Sequence, residues 1–241
     1  MVEKILERTR MSTEKPKPSK GDVAHTIVRA GLSAVPVVGG PAAELFSAII
    51  VPPLTKRRDE WVESIGRELQ ELEKKVEGFE IESLSRNETF VTIVMHATQI
   101  AIRNHQQEKL QALRNAVVNT ALGIDIDDDL KQTFLEYVDT LTPSHLRVLE
   151  FLNNPRDYGE RHAVKYGSYM TGGVSTILVE AIPELKDRRE FYDQLVKDLH
   201  ARGLVNVDEN DIHVTTSETG MFASRTTETG RKFLAFVTEH P

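Results

Sequence analysis

The sequence predicts a mainly α-helical protein: a helical bundle followed by a winged-helix-like domain containing a small β-hairpin. Three observations carry this. Apolar residues recur every three or four positions over most of the chain after residue 56, the period of helices buried along one face. Capping residues and prolines stand where those runs begin, as at Thr142-Pro143. Residues 142–241 read helix, helix, helix, hairpin, helix, the order of a winged helix.

With 241 residues the chain has room for one large domain or two small ones with a real core. It contains no cysteine, which excludes disulfides, thiolate metal sites and cysteine nucleophiles and fits a reducing, cytoplasmic setting. The net charge of −7 argues against a protein that depends on nucleic acid, since such proteins show a basic face. Residues 1–20 run against that sum, with Lys4, Arg8, Arg10, Lys15, Lys17 and Lys20 against Glu3, Glu7 and Glu14. Charges throughout and no apolar stretch make them a flexible basic tail, not a secretory signal. Three parts are expected: the tail at 1–20, a helical domain at 21–141 and the winged-helix-like domain at 142–241.

Asp22 is placed to cap a helix over 22–34. The stretch 30–54 carries one charge, Glu44, and is interrupted by Pro36, Gly39, Gly40 and Pro41. This predicts an apolar hairpin: a helix, a tight turn, and a second helix from Pro41 that Pro52-Pro53 ends. Such a second helix is roughly 15 Å long, too short to cross a bilayer. Val35, Val37, Val38, Leu45, Phe46, Ile49 and Ile50, followed at once by Lys56-Arg57-Arg58, form a candidate contact for a protein partner or a membrane surface. The same residues fit a core, and a buried hairpin is the default expectation. A membrane contact would place the protein at the inner membrane face.

A helix over 56–77 carries Trp61, Ile65, Leu69, Leu72 and Val76 in one stripe, and Gly78 ends it. A helix over 87–104 is apolar nearly all round, from Phe90 to Ile102, and is expected at the centre of the bundle. Helices over 106–122 and 128–141 follow. The next starts at Thr142-Pro143 and stops at Asn153-Asn154-Pro155. Residues 155–173 read as a polar connection. Helices over 174–182 and 188–201, a strand after Gly203, a hairpin of 212–216 against 221–226, and a last helix from Glu228 complete the chain.

No catalytic, cofactor or metal site is predicted. Gly39-Gly40 lacks the spacing of a phosphate-binding loop and the Lys-Ser/Thr that follows one. Asp125, Asp127, Asp128, Asp129 and Glu136 imitate a calcium loop. Leu130 stands where the loop's sharp turn needs glycine, so the acidic run is expected to cap a helix. His96 and His105 do not have the four-residue spacing of a helical zinc pair, and no serine sits in a nucleophile elbow. Arg188, Arg189, Lys197 and Arg202 lie among Glu190, Asp193 and Asp198, and Arg225 lies between Glu218 and Glu228. These five basic residues are the candidate nucleic-acid contacts. Their near-neutral surroundings disfavour phosphate-dominated binding and point to protein contact.

Five stretches between 109 and 238 carry a family resemblance. They are Leu110-x-x-Leu113-x-x-Ala116-Val117, Phe134-Leu135-Glu136-Tyr137-Val138, Leu141-Thr142-Pro143 with Leu149, Leu195 and Leu199 ahead of Gly203-Leu204-Val205, and Thr227-x-x-Gly230-x-x-Phe233. In this order they resemble the bacterial abortive-infection alpha (Abi-alpha) proteins. The resemblance implies a role in resistance to phage and no catalytic residues. The amino-terminal half is similar in texture to membrane-perturbing helical domains of cell-death proteins. The expected function is a non-enzymatic helical regulatory or interaction protein in anti-phage defence, acting through protein contacts or self-association, with no cofactor. The alternatives are a winged-helix DNA-binding regulator and a membrane-active effector using residues 22–54.

Overall fold

A computed structural model describes residues 41–239, with side chains from residue 54 onward. The expected helix over 22–34, the turn at 36–40 and Val35, Val37 and Val38 lie outside the described residues. So do the side chains of Leu45, Phe46, Ile49 and Ile50. The chain divides into two units, Met1–Lys56 and Arg57–Pro241.

Helix α1 spans Pro41–Lys75, 35 residues, about 50 Å at 1.5 Å per residue. This corrects the expected stop at Pro52-Pro53. Each proline withdraws only its own N–H and crowds the preceding turn. The flanking turns keep their bonds, and the helix continues. Among the described residues, no helix is long and apolar enough to cross a membrane.

The second unit continues with α2 (Ile81–Leu84), α3 (Glu88–Arg103), α4 (Gln107–Ala121), α5 (Asp128–Thr140), α6 (Pro143–Asn153) and α7 (Pro155–Arg161). After β1 (Thr171–Gly172) come α8 (Val174–Ala181), α9 (Arg189–Ala201), β2 (Thr216–Ser217), α10 (Glu218–Met221) and α11 (Glu228–Val237). The starts follow from local chemistry. Asn87, Asp127, Asn154, Ser217 and Thr227 each accept a backbone N–H in the first turn of the helix they precede, satisfying donors that the helix leaves unpaired. Asp127 takes the amides of Asp129 and Leu130, so the acidic run caps α5.

The centre of this unit is α4, not α3. Helix α3 buries Phe90, Ile93, Ala97, Ile100 and Ala101 but leaves Met95 61% and Val91 36% exposed. Helix α4 buries Ala112, Leu113, Ala116 and Val117 together with Lys109, Asn115, Asn119 and Thr120. Its polar groups find tertiary partners: Lys109 Nζ donates to the Asp139 carbonyl at 2.6 Å, and Asn115 Nδ2 donates to the Val237 carbonyl at 2.8 Å. Asn119 Nδ2 lies 3.0 Å from each of the Ala235, Phe236 and Thr238 carbonyls. The two asparagines thus cap the C-terminal end of α11 from a neighbouring helix. Phe134 of α5 packs against Phe233 and Phe236 of α11, with centroids 5.3 and 5.9 Å apart. Helix α11 therefore crosses the expected boundary at residue 141 to pack on α4 and α5.

Two further expectations are corrected. Residues 155–161 form α7 rather than loop: Pro155 ends α6 and also takes the first helical position of α7, with Asn154 as its cap. The hairpin of 212–216 against 221–226 is absent. Thr216-Ser217 instead pairs antiparallel with Thr171-Gly172, and Ser217 caps α10. The small two-stranded sheet thus joins segments some 45 positions apart (Thr171 with Ser217). Only a single bridge, Val205 with Thr226, ties the strand expected after Gly203 to the end of the expected hairpin.

Candidate binding sites

The first candidate lies between α1, α3 and α4. One face of α1 supplies Arg57, Glu60, Trp61, Ser64 and Arg67, at helical spacing. The end of α3 and the start of α4 supply Ala101, Asn104, Gln107, Leu110 and Arg114, and together they enclose a cavity of about 200 Å³. Trp61 is buried in its wall and donates Nε1–H to Thr98 Oγ1 at 3.0 Å. Arg57 Nη1 reaches the Ile102 carbonyl at 3.4 Å. Arg114 Nη2 donates to Gln111 Oε1, while Arg114 Nε is buried without a partner. Lys56, Arg57 and Arg58 are all exposed, and Arg58 pairs with Asp59 at 3.0 Å. Of these cavity groups, sequence reasoning singled out only Arg57 as a contact residue. Arg67 carries a signal in retrospect: with Arg57 it brackets the Trp61 stripe on α1.

A second cavity, of about 400 Å³, is lined by Val174, Asn206, Val207, Asp211, Val214, Thr216 and Arg225. Arg225 is held there by donating Nη2–H to the Gly220 carbonyl at 2.7 Å. The other candidate nucleic-acid contacts are also engaged within the fold. Arg188 lies 4.1 Å over the Phe191 ring. Arg189 pairs with Asp193 at 3.4 Å and Lys197 with Glu209 at 3.6 Å. Arg202 lies 5.8 Å over Tyr137 and contacts the Asp198 carbonyl at 3.4 Å. Each of the five sits beside a ring, a carbonyl or a carboxylate.

A chain of three side chains has the order of a nucleophile relay. Ser175 Oγ lies 3.0 Å from His213 Nδ1, and His213 Nε2 lies 2.7 Å from Asp193 Oδ1. Neither of these two cavities is lined by Ser175 or His213. The chain stitches α8 to α9 through the turn at Asp211–His213. A second histidine, His145, does similar work in α6. Its Nδ1 accepts the Thr142 N–H at 3.1 Å, and its Nε2 faces Asp198 Oδ2 at 3.3 Å. Burial holds its pKa below the ordinary value, against the opposing pull of Asp198. His96 is half-buried and bonds Gln132 at 2.9 Å. His105 and Glu108 are exposed.

No family model matches this chain, and neither a curated protein nor a solved structure matches it.

Proposed function

We propose that this protein is a non-enzymatic helical interaction protein that acts by contact through α1, in the setting of anti-phage defence that the resemblance to abortive-infection alpha proteins implies. The observation that supports this most is the continuity of α1. One helix carries the apolar sequence of residues 41–54 directly into the exposed run Lys56-Arg57-Arg58. An apolar segment beside a basic one suits a partner that offers an apolar groove with an acidic rim. The test is a cell challenged with phage. Cells expressing the wild-type chain are expected to block phage propagation, and Phe46→Asp is expected to abolish the block while the purified variant melts within a few degrees of wild type. A variant that loses its fold instead would mean that Phe46 fills a core and that α1 makes no contact there.

The same continuity favours a second reading, a membrane-surface effector. Basic residues near an anionic leaflet contribute about 1 kcal/mol each. Flotation with anionic and with neutral vesicles separates the two. Binding to anionic vesicles that Phe46→Asp removes supports the membrane reading; phage resistance without vesicle binding supports the protein partner. A winged-helix DNA-binding regulator has the least support, because the residues meant to meet phosphates are occupied and the wing is replaced by α10.

A further inference from the structure

We propose that the cavity between α1, α3 and α4 binds a phosphate group, carried by a small soluble ligand or by a lipid headgroup. Three arginines, Arg57, Arg67 and Arg114, line it with one acidic residue, Glu60, in a protein whose net charge is −7. Concentrating arginines there sets like charges together, and an anion among them removes that repulsion. Arg67 makes no hydrogen bond or ion pair among the described residues. Arg114 is oriented through Gln111, which is itself held by Asn115 at 2.9 Å, and its Nε is buried with nothing to accept its proton. A buried donor without an acceptor is unfavourable, so Arg114 gains from any small rearrangement that turns this group toward an oxygen.

The neighbouring backbone carbonyls are mostly occupied. Helix α3 ends here, and its last carbonyls would repel an anion if they were open. Three of the last four are occupied: Ile100 by Asn104 Nδ2 at 2.9 Å, Ala101 by Asn104 N–H at 3.1 Å and Ile102 by Arg57 at 3.4 Å. Helix α4 begins at the same cavity with Gln107, and its cap residue Gln106 supplies no side-chain acceptor. The positive end of α4 is left without a side-chain cap. Several donor groups from different directions match a tetrahedral oxyanion, whose oxygens point out of one plane, better than a planar carboxylate.

Trp61 is the one tryptophan of the chain and forms part of the cavity wall, so intrinsic fluorescence reads the site directly. Full-length protein is titrated with inorganic phosphate against chloride at equal ionic strength, with calorimetry in parallel. A saturable change with phosphate is expected, and none with chloride. Arg67 is exposed, so Arg67→Gln keeps the fold and is expected to weaken binding about tenfold or more, the loss of a charge-assisted bond. Arg114→Met should weaken it too, and Arg188→Ala should change nothing. In the second arm, phosphatidylglycerol vesicles replace phosphate, with phosphatidylcholine as control. A response to vesicles alone that depends on Arg67 assigns the phosphate to a headgroup; a response to free phosphate assigns it to a soluble ligand. An equal response to chloride, or no Arg67-dependent response in either arm, overturns the proposal. The proposal does not rest on the contact reading: phosphate binding without phage resistance keeps the site and removes the other.

Discussion

His145 occupies the position where a glutamate or glutamine usually closes a capping box, and its imidazole can accept the Thr142 N–H only while Nδ1 is unprotonated. Burial pushes its pKa down, and Arg202 and Lys109 add to that push, while Asp198 opposes it. The unfolded chain takes up the proton near pH 6.5, but the folded chain resists it. Stability is therefore flat above that pH and falls as pH drops from there to the depressed folded pKa. Urea unfolding at pH 8 and pH 5 should show this slope, and His145→Gln, which keeps an acceptor for Thr142, should reduce it. An identical slope in the variant would assign the acid sensitivity to other groups. Asn119 gives a second test at this scale. The two hydrogens of its Nδ2 are shared among the carbonyls of Ala235, Phe236 and Thr238 at the end of α11, while its Oδ1 is buried without a partner. Asn119→Ala is expected to cost about 1–3 kcal/mol in urea unfolding, the cost of stranding buried acceptors.

At the scale of elements, the approach of α11 to the segment after α9 depends on one missing side chain. A Cβ on Gly230 would lie 2.0 Å from the Leu204 carbonyl oxygen, and backbone cannot give way as a side-chain tip does. Gly230→Ala should force α11 away from Leu204 and destabilise by about 1–3 kcal/mol or more, seen as a lower Tm. An unchanged Tm would mean that the two segments are not held this close.

The elements legible in the sequence were those whose signals are local. The acidic run at Asp127, Thr142-Pro143 and the stripe from Trp61 marked helices that the fold contains. Signals with two meanings misled. Pro155 stops one helix and starts another, and Ser217 can sit in a hairpin turn or cap a helix. Centrality was misassigned because hydropathy counts Lys109, Asn115 and Asn119 against burial, and only their tertiary partners make burial tolerable. The arginine-lined cavity was not legible for the same reason. Arg67 and Arg114 are brought together by packing alone, and no spacing rule connects two helices across that much chain.

For the molecule as a whole, the bonds from α4 to α11 predict a cooperative centre. Native-state hydrogen exchange should find the slowest amides in α4 and α11, released together at the free energy of global unfolding. The two-residue strands and the four-residue α10 should exchange earlier. Fast exchange in α11 beside slow exchange in α4 would mean that the last helix docks only loosely.

The position of α11 along the chain also has a consequence for how the protein is made. Asn115 and Val237, which bond directly, stand 122 positions apart. At about 5–20 residues per second, the ribosome needs roughly 6–25 s to go from one to the other. Through that interval α4 and α5 have emerged, yet Phe134 lacks its partner rings and the two asparagines have no carbonyls to hold. A nascent chain in this state offers a greasy, half-wet face to holdase chaperones and proteases. Any stalled or shortened transcript that stops before Glu228 leaves it so permanently. A chain cut before Glu228 is therefore expected to be scarcer in cells than the full chain at equal messenger level, as a blot against an epitope near residue 100 would measure.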